Sequence, residues 1–249
     1  MRNIVLQDLA LAGVCWELKE TAEIAAPKQT PIQQTFSTNR LSVDNSVIIP
    51  ATAPITLDTV KLMAERPTTI DSLLRMIGEF NHPLRGGATN VVMPNIAQNP
   101  NGLLIITDCP NSDDDLCGKI LSGNAGDMTD KMLNAINMSR ENVSIVPLLF
   151  WRTPGGRSPT REELDLSLPF VNKITEMLAP KVIITFGTLP ATEIAKINSA
   201  SGAYCQETTD DYGRIIIPLY HPNYLMLKPS AKKDVWGALQ HVENLLKNA

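Results

Sequence analysis

Four short apolar runs constrain this chain more than any other feature: GLLIIT (102–107), NVSIVPLLF (142–150), KVIITFG (181–187) and GRIIIPLYH (213–221). A strand with one wet face alternates apolar with polar side chains. These runs are nearly continuous, as expected of strands buried on both faces in a parallel sheet covered by helices. Helical spacing fills the intervals between them. Ile70, Leu73, Leu74, Ile77 and Phe80 recur every three or four residues ahead of the first run, and Met128, Met132, Leu133 and Ile136 after it. Thr160 and Glu163 stand at capping-box spacing, and Leu164, Leu168, Val171 and Met177 continue that helix. A last helix runs from about Ser230, with Trp236, Leu239, Val242 and Leu246 on one face. The alternation predicts an α/β fold, a three-layer α/β/α sandwich with a central four-stranded parallel sheet.

The 249 residues, 43% of them hydrophobic, suffice for one sizeable core plus an extension. Residues 1–66 contain a long stretch rich in Thr, Pro, Gln, Asn and Ser with poor periodicity. They are expected to form a partly disordered N-terminal extension and linker, leaving 67–249 as the folded domain. Within the extension, 4–18 is apolar enough for a short docked helix, but Gln7 and Asp8 interrupt it and no small-residue cleavage pattern follows, so no signal peptide is expected. No apolar run is long enough to span a bilayer, so no membrane partner is expected. Cys15, Cys109, Cys117 and Cys205 are scattered without a CxxC pair, which argues against a disulfide scaffold, a zinc site or a four-thiolate cluster and fits a reducing cytosol. A net charge of −4 and a pI near 5.4 argue against strong nonspecific nucleic-acid binding over the whole surface, while allowing a local basic patch.

In such a sheet, ligands are met at the carboxyl ends of the strands. Four segments fall there. The first, TDCPNSDDDLCGKILSGNAG, sets Asp108 directly after a strand and Pro110 at a turn, with Gly118, Gly123 and Gly126 permitting close backbone approach. Asp113 to Asp115 read as a solvated acidic loop; Asp108 is open to a structural or a functional role. The second, FWRTPGGRSPTREE, places Arg152 and Arg157 ahead of a helix N-terminus, a setting for an anion or for pairing with nearby Asp or Glu. The third holds Gly187. The fourth, YHPNYLMLKPSAKKDVW, ends a buried strand in His221-Pro222 and follows it with an apolar tip and three lysines, Lys228, Lys232 and Lys233. Lysine in a first helical turn opposes the helix dipole. An apolar wedge beside phosphate-seeking charge suits a protein that enters a DNA groove and unstacks bases.

Together these segments resemble the uracil-DNA glycosylase superfamily, in particular its bacterial and archaeal family-four type, from about Thr69 to Leu246. Thr107-Asp108-Cys109-Pro110-Asn111 occupies the place of the family's Gly-Glu-Ala-Pro-Gly motif, followed by Gly118, Gly123, Ala125 and Gly126 at family spacing. RTPGGRSPTREEL matches an Arg-Pro-Pro stretch ending in Arg-x-Pro-Thr, PKVIITFGTLPA the third strand and its glycine, and HPNYL with Lys233 and Trp236 the closing motif and final helix.

The resemblance implies base excision repair in a bacterial cytoplasm: hydrolysis of the N-glycosidic bond of a flipped uracil or related damaged base by a monomer acting on DNA. It implies Asp108 as the residue that orients water or stabilises the developing cation, and His221 as the donor to the base O2. The implied base pocket comprises Thr107, Cys109, Pro110, Asn111, Gly118, Leu121 and Pro147. The implied DNA contacts are Arg152, Arg157, Asn223, Tyr224, Leu225, Met226, Lys228 and Lys232, with Leu225 or Met226 as the wedge. The chain also departs from the family. Glu79, His82, Trp151 and Ser167 stand where the family's four iron–sulfur cysteines fall, so no cluster and no other cofactor is expected, with packing through Phe80 and Trp151 replacing the staple. Leu121 stands where a Phe stacks on the base, and Pro147 where an Asn reads its edge. Each change removes about 1–3 kcal/mol of interaction with the base. A catalytically impaired relative that binds DNA or protein is the alternative reading.

Overall fold

The computed structural model describes residues 55–197 and 203–248. In chain order the elements are α1 (Leu57–Glu65), α2 (Ile70–Glu79), β1 (Leu103–Thr107), α3 (Ser112–Cys117), α4 (Gly123–Asn134), β2 (Ser144–Pro147) and α5 (Arg161–Leu178). They continue with β3 (Val182–Phe186), α6 (Thr188–Glu193), β4 (Thr208–Thr209), β5 (Ile215–Leu219), α7 (Pro222–Leu227) and α8 (Lys232–Asn248). The sheet order is β2-β1-β3-β5-β4. The first four strands are parallel, with Thr107 opposite Pro147 on one side and Phe186 on the other, and Phe186 opposite Leu219. The expected four-stranded parallel sheet therefore gains a fifth strand: β4 pairs antiparallel with β5 at the edge. Two threonines are too short a run to show a strand period.

Both faces of the strands are buried. Leu103, Ile105, Ile145, Val182, Ile184 and Ile217 join one core with Met132 and Leu133 of α4 and Leu239 and Val242 of α8. Leu104, Ile106, Val146, Ile183 and Ile216 join a second core with Leu73 and Ile77 of α2 and Phe170 and Ile174 of α5. Two cores on opposite faces of one sheet make the three layers. On α8 the buried stripe runs through Val235, Leu239 and Val242, whereas Trp236, expected on that face, is exposed.

Local signals set the helix starts. The Thr69 hydroxyl accepts the Ser72 N–H, and the Thr160 hydroxyl accepts the Glu163 N–H while the Glu163 carboxylate accepts the Thr160 N–H. Such caps contribute about 1 kcal/mol each. Helix α1 lies ahead of residue 67, where the folded domain is expected to begin. Its Val60 and Ala64 are buried in the second core, and its Glu65 pairs with Lys173 of α5. Its five apolar positions, Leu57, Val60, Leu62, Met63 and Ala64, adjoin a Thr- and Pro-rich stretch that hid the helix in the sequence. Residues 1–54, including the expected helix over 4–18 and Cys15, lie outside the described residues. Among the described residues no helix is long and apolar enough to cross a membrane.

Candidate active site

The parallel strands deliver their carboxyl ends to one rim. Asp108 follows β1, Gly187 follows β3, and His221 follows β5 by one residue. Because β3 lies between β1 and β5, Gly187 stands between the other two. Its φ is +98°, and a Cβ there would sit 3.3 Å from Asp108 Oδ2 and 3.6 Å from His221 Cβ. The missing side chain leaves carboxylate and imidazole facing shared space. That space is a cavity of about 160 Å³ lined by Thr107, Asp108, Cys109, Asn111, Asp114, Ile120, Leu121, His221 and Asn223.

His221 is the N-cap of α7, fixed by Pro222 in the first helical turn. Its Nδ1 accepts the Asn223 N–H at 3.2 Å, which leaves Nε2 to carry the proton of the neutral ring. Burial lowers the imidazole pKa, and the nearby Asp108 charge only partly offsets that. Asp108 Oδ1 accepts the Cys109 N–H at 2.9 Å. Burial, then the Asp108 charge, push the Cys109 thiol far up, so it stays protonated and is no nucleophile. The cavity is thus lined by an uncharged imidazole and the Asp108 side chain.

The acidic loop differs from its expected solvated form. Asp113 is exposed, but Asp114 and Asp115 are 2% and 3% exposed. Asn111 caps α3 by accepting the Asp113 and Asp114 N–H groups, and Asp114 accepts the Asn111 N–H at 3.0 Å and the Ser122 N–H at 2.6 Å. Asp115 accepts the Thr89 and Asn90 N–H groups. The orphan N–H groups of a helix start and the adjoining loops draw these carboxylates inward. Burial raises the Asp114 pKa, and its two backbone hydrogen bonds oppose the rise. Of the expected pocket residues, Pro110, Gly118 and Pro147 do not line the cavity: Pro110 is buried, Gly118 ends α3 with φ +66°, and Pro147 is buried beside Thr107. The Thr107 hydroxyl is buried without a partner. Asp114 and Ile120 line the cavity in addition to the expected pocket residues.

The two arginines have different fates. Arg157 forms a two-pronged ion pair with Glu163 at 2.9 and 2.5 Å, so it is not free for an anion. Arg152 has no ion pair among the described residues, and its Nε is buried without a partner. On α7, Leu225 is 1% exposed and packs in the core shared with α4, which removes it as a wedge. Helical spacing turns it inward while Tyr224 and Met226 face out, and Leu227, at the helix end, is 85% exposed. Lys228, Lys232 and Lys233 are exposed, and none forms an ion pair among the described residues.

The four positions where the family's cluster cysteines fall do not fit a metal cluster. Glu79 is exposed. His82 and Trp151 are buried and stacked at 4.5 Å with an interplanar angle of 3°. His82 Nδ1 accepts the Leu84 N–H and Nε2 donates to the Glu163 carbonyl, while Ser167 donates to the Leu148 carbonyl. Phe80 packs against His82, Trp151 and Phe170. Among the described residues no three His, Cys, Asp or Glu side chains are grouped to hold a metal ion.

The model of the uracil-DNA glycosylase superfamily matches residues 94–242. The type-4 uracil-DNA glycosylase of Saccharolobus solfataricus is 26% identical over 153 residues, covering 58% of this chain and 71% of that protein. Its counterpart in Archaeoglobus fulgidus is 27% identical over 156 residues, covering 59% and 77%. A type-4 uracil-DNA glycosylase of Thermotoga maritima is 27% identical over 146 residues, covering 58% and 76%.

Proposed function

The chain belongs to the uracil-DNA glycosylase superfamily, and on that premise we propose that it is a DNA-repair glycosylase that hydrolyses the N-glycosidic bond of a flipped uracil or a related damaged base. The observation that carries this reading is the meeting of Asp108 and His221 at one cavity on either side of Gly187. The relatives' names support uracil as substrate.

A glycosidic bond inside a duplex is out of reach, so the nucleotide is extruded into the pocket. Cleavage builds positive charge on the sugar and negative charge on the departing base. His221, neutral with its proton on Nε2, donates to the base O2 as that negative charge grows, a preorganised oxyanion contact. Asp108 stabilises the sugar cation and orients the attacking water, with Oδ1 fixed by the Cys109 N–H. Leu121 and Ile120 form the apolar side of the pocket. With Leu121 and Pro147 standing where the family pattern has a stacking Phe and an edge-reading Asn, the pocket discriminates among bases less sharply than that pattern does.

DNA is held by Arg152, Lys228 and Lys232 through phosphates, with Asn223 and Tyr224 at the pocket mouth and Met226 and Leu227 as the wedge. Tyr220, stacked on Tyr204, packs at a tilt against Tyr224 and supports it there. The Phe80–His82–Trp151 packing serves as the staple in place of a metal cluster, and the reading takes the protein as a cofactor-free enzyme.

An oligonucleotide carrying one uracil tests the reading: base release and an alkali-labile abasic site are expected. DNA binding without product from uracil or any modified base in a panel would refute it and favour a non-catalytic DNA-binding role.

A further inference from the structure

Leu121 lines the cavity in a conformation that its side chain disfavours. Its φ is +52°, in the left-handed region where Cβ crowds the following carbonyl. Something must hold the turn. Arg140, on the loop before β2, donates from Nη1 to the Ile120 carbonyl at 3.0 Å and from Nη2 to the Leu121 carbonyl at 2.7 Å. Its Nε donates to Asp130 of α4 at 2.7 Å, and its own carbonyl accepts from Asn95 at 2.8 Å. Helix α4 presses on the same turn: a Cβ at Gly126 would stand 2.1 Å from the Leu121 carbonyl oxygen. One guanidinium thus ties two consecutive carbonyls of a strained turn to the helix behind it.

We infer that Arg140 is a positioning residue for the base pocket, whose planar fork locks the left-handed turn that aims Leu121 at the bound base. This rests on the glycosylase reading. Lysine carries the charge without the fork, so it cannot engage both carbonyls and Asp130 at once.

The test is a double-substitution cycle on Arg140→Gln and Leu121→Gly, with Arg140→Lys alongside, read as kcat and KM on a uracil oligonucleotide. Arg140→Gln is expected to lower kcat/KM on the order of 10- to 100-fold, the scale of misplacing a contact in an active site, and Arg140→Lys to recover only part of it. In the Leu121→Gly background, already lowered, the further loss from Arg140→Gln should largely vanish, because glycine takes the left-handed turn unaided and has no side chain to aim. An equal loss in both backgrounds, or no loss in either, overturns the inference. Hydrogen exchange separates this from failure of the glycosylase reading. If the native chain excises no base, the catalytic reading falls, and the locking claim is decided by peptide 119–124: faster exchange in Arg140→Gln sustains it, unchanged exchange ends it.

Discussion

Protonating His221 breaks the hydrogen bond its Nδ1 accepts from the Asn223 N–H. Because burial already holds its pKa below 6.5, the neutral ring persists under mildly acid conditions. The acid limb of the activity profile is therefore expected below pH 6.5, with activity lost as pH falls. Asp108 raises that pKa, so Asp108→Asn should shift the His221 titration, followed by NMR, further downward. His221→Ala is expected to slow base release by about 10²–10³-fold, the usual effect of removing one oxyanion donor. A loss smaller than about tenfold would remove His221 from the transition state. The positions of Asp108 and His221 at strand tips can be read from the sequence, because each follows an apolar run and stands beside a proline turn, whereas the roles proposed for them come from the family resemblance. Asp114 was not legible: three consecutive aspartates look solvated until the N–H groups of Asn111 and Ser122 are placed around one of them. Gly187 shows its purpose only once the strand order sets it between the other two.

The short helix α7 divides its work between its faces. Leu225→Ala removes a core side chain and should cost about 2–5 kcal/mol of stability by chemical denaturation. Leu227→Ala should leave the melting temperature unchanged and reduce excision from duplex more than from single strands. If both variants behave alike, the inward and outward assignments are wrong. Lys228→Ala with Lys232→Ala should flatten the slope of log affinity against log salt by about two units, one for each phosphate no longer neutralised. The strands and the long helices could be read from apolar period alone. Helix α1 and strand β4 could not, since one is diluted by polar residues and the other is two residues long. Arg157 was ambiguous because its partner, Glu163, belongs to a helix cap as well.

Across the whole molecule, acid should loosen the fold through its buried imidazoles. His82 and His221 both have pKa values lowered by burial from 6.5, so the unfolded chain binds more protons as pH drops below that value. Stability contributed by the neutral rings is complete above pH 6.5 and declines below it. The urea midpoint should fall between about pH 7.5 and 5.5, and His82→Gln should show a shallower fall than the native chain. Trp151→Ala is expected to cost about 3–5 kcal/mol, and purified protein is expected to be colourless; stoichiometric iron would overturn the side-chain staple. The layered architecture was written in the sequence as four buried runs between helices. The order of strands was not, because it depends on pairings between distant segments. That order has a consequence for synthesis. Asp108 emerges from the ribosome early and His221 late, and only β3, seated between their strands, brings them together. On the roles proposed for Asp108 and His221, a growing chain lacks a complete site until β5 has joined the sheet, and a translation product interrupted before His221 is expected to release base far more slowly than the full chain.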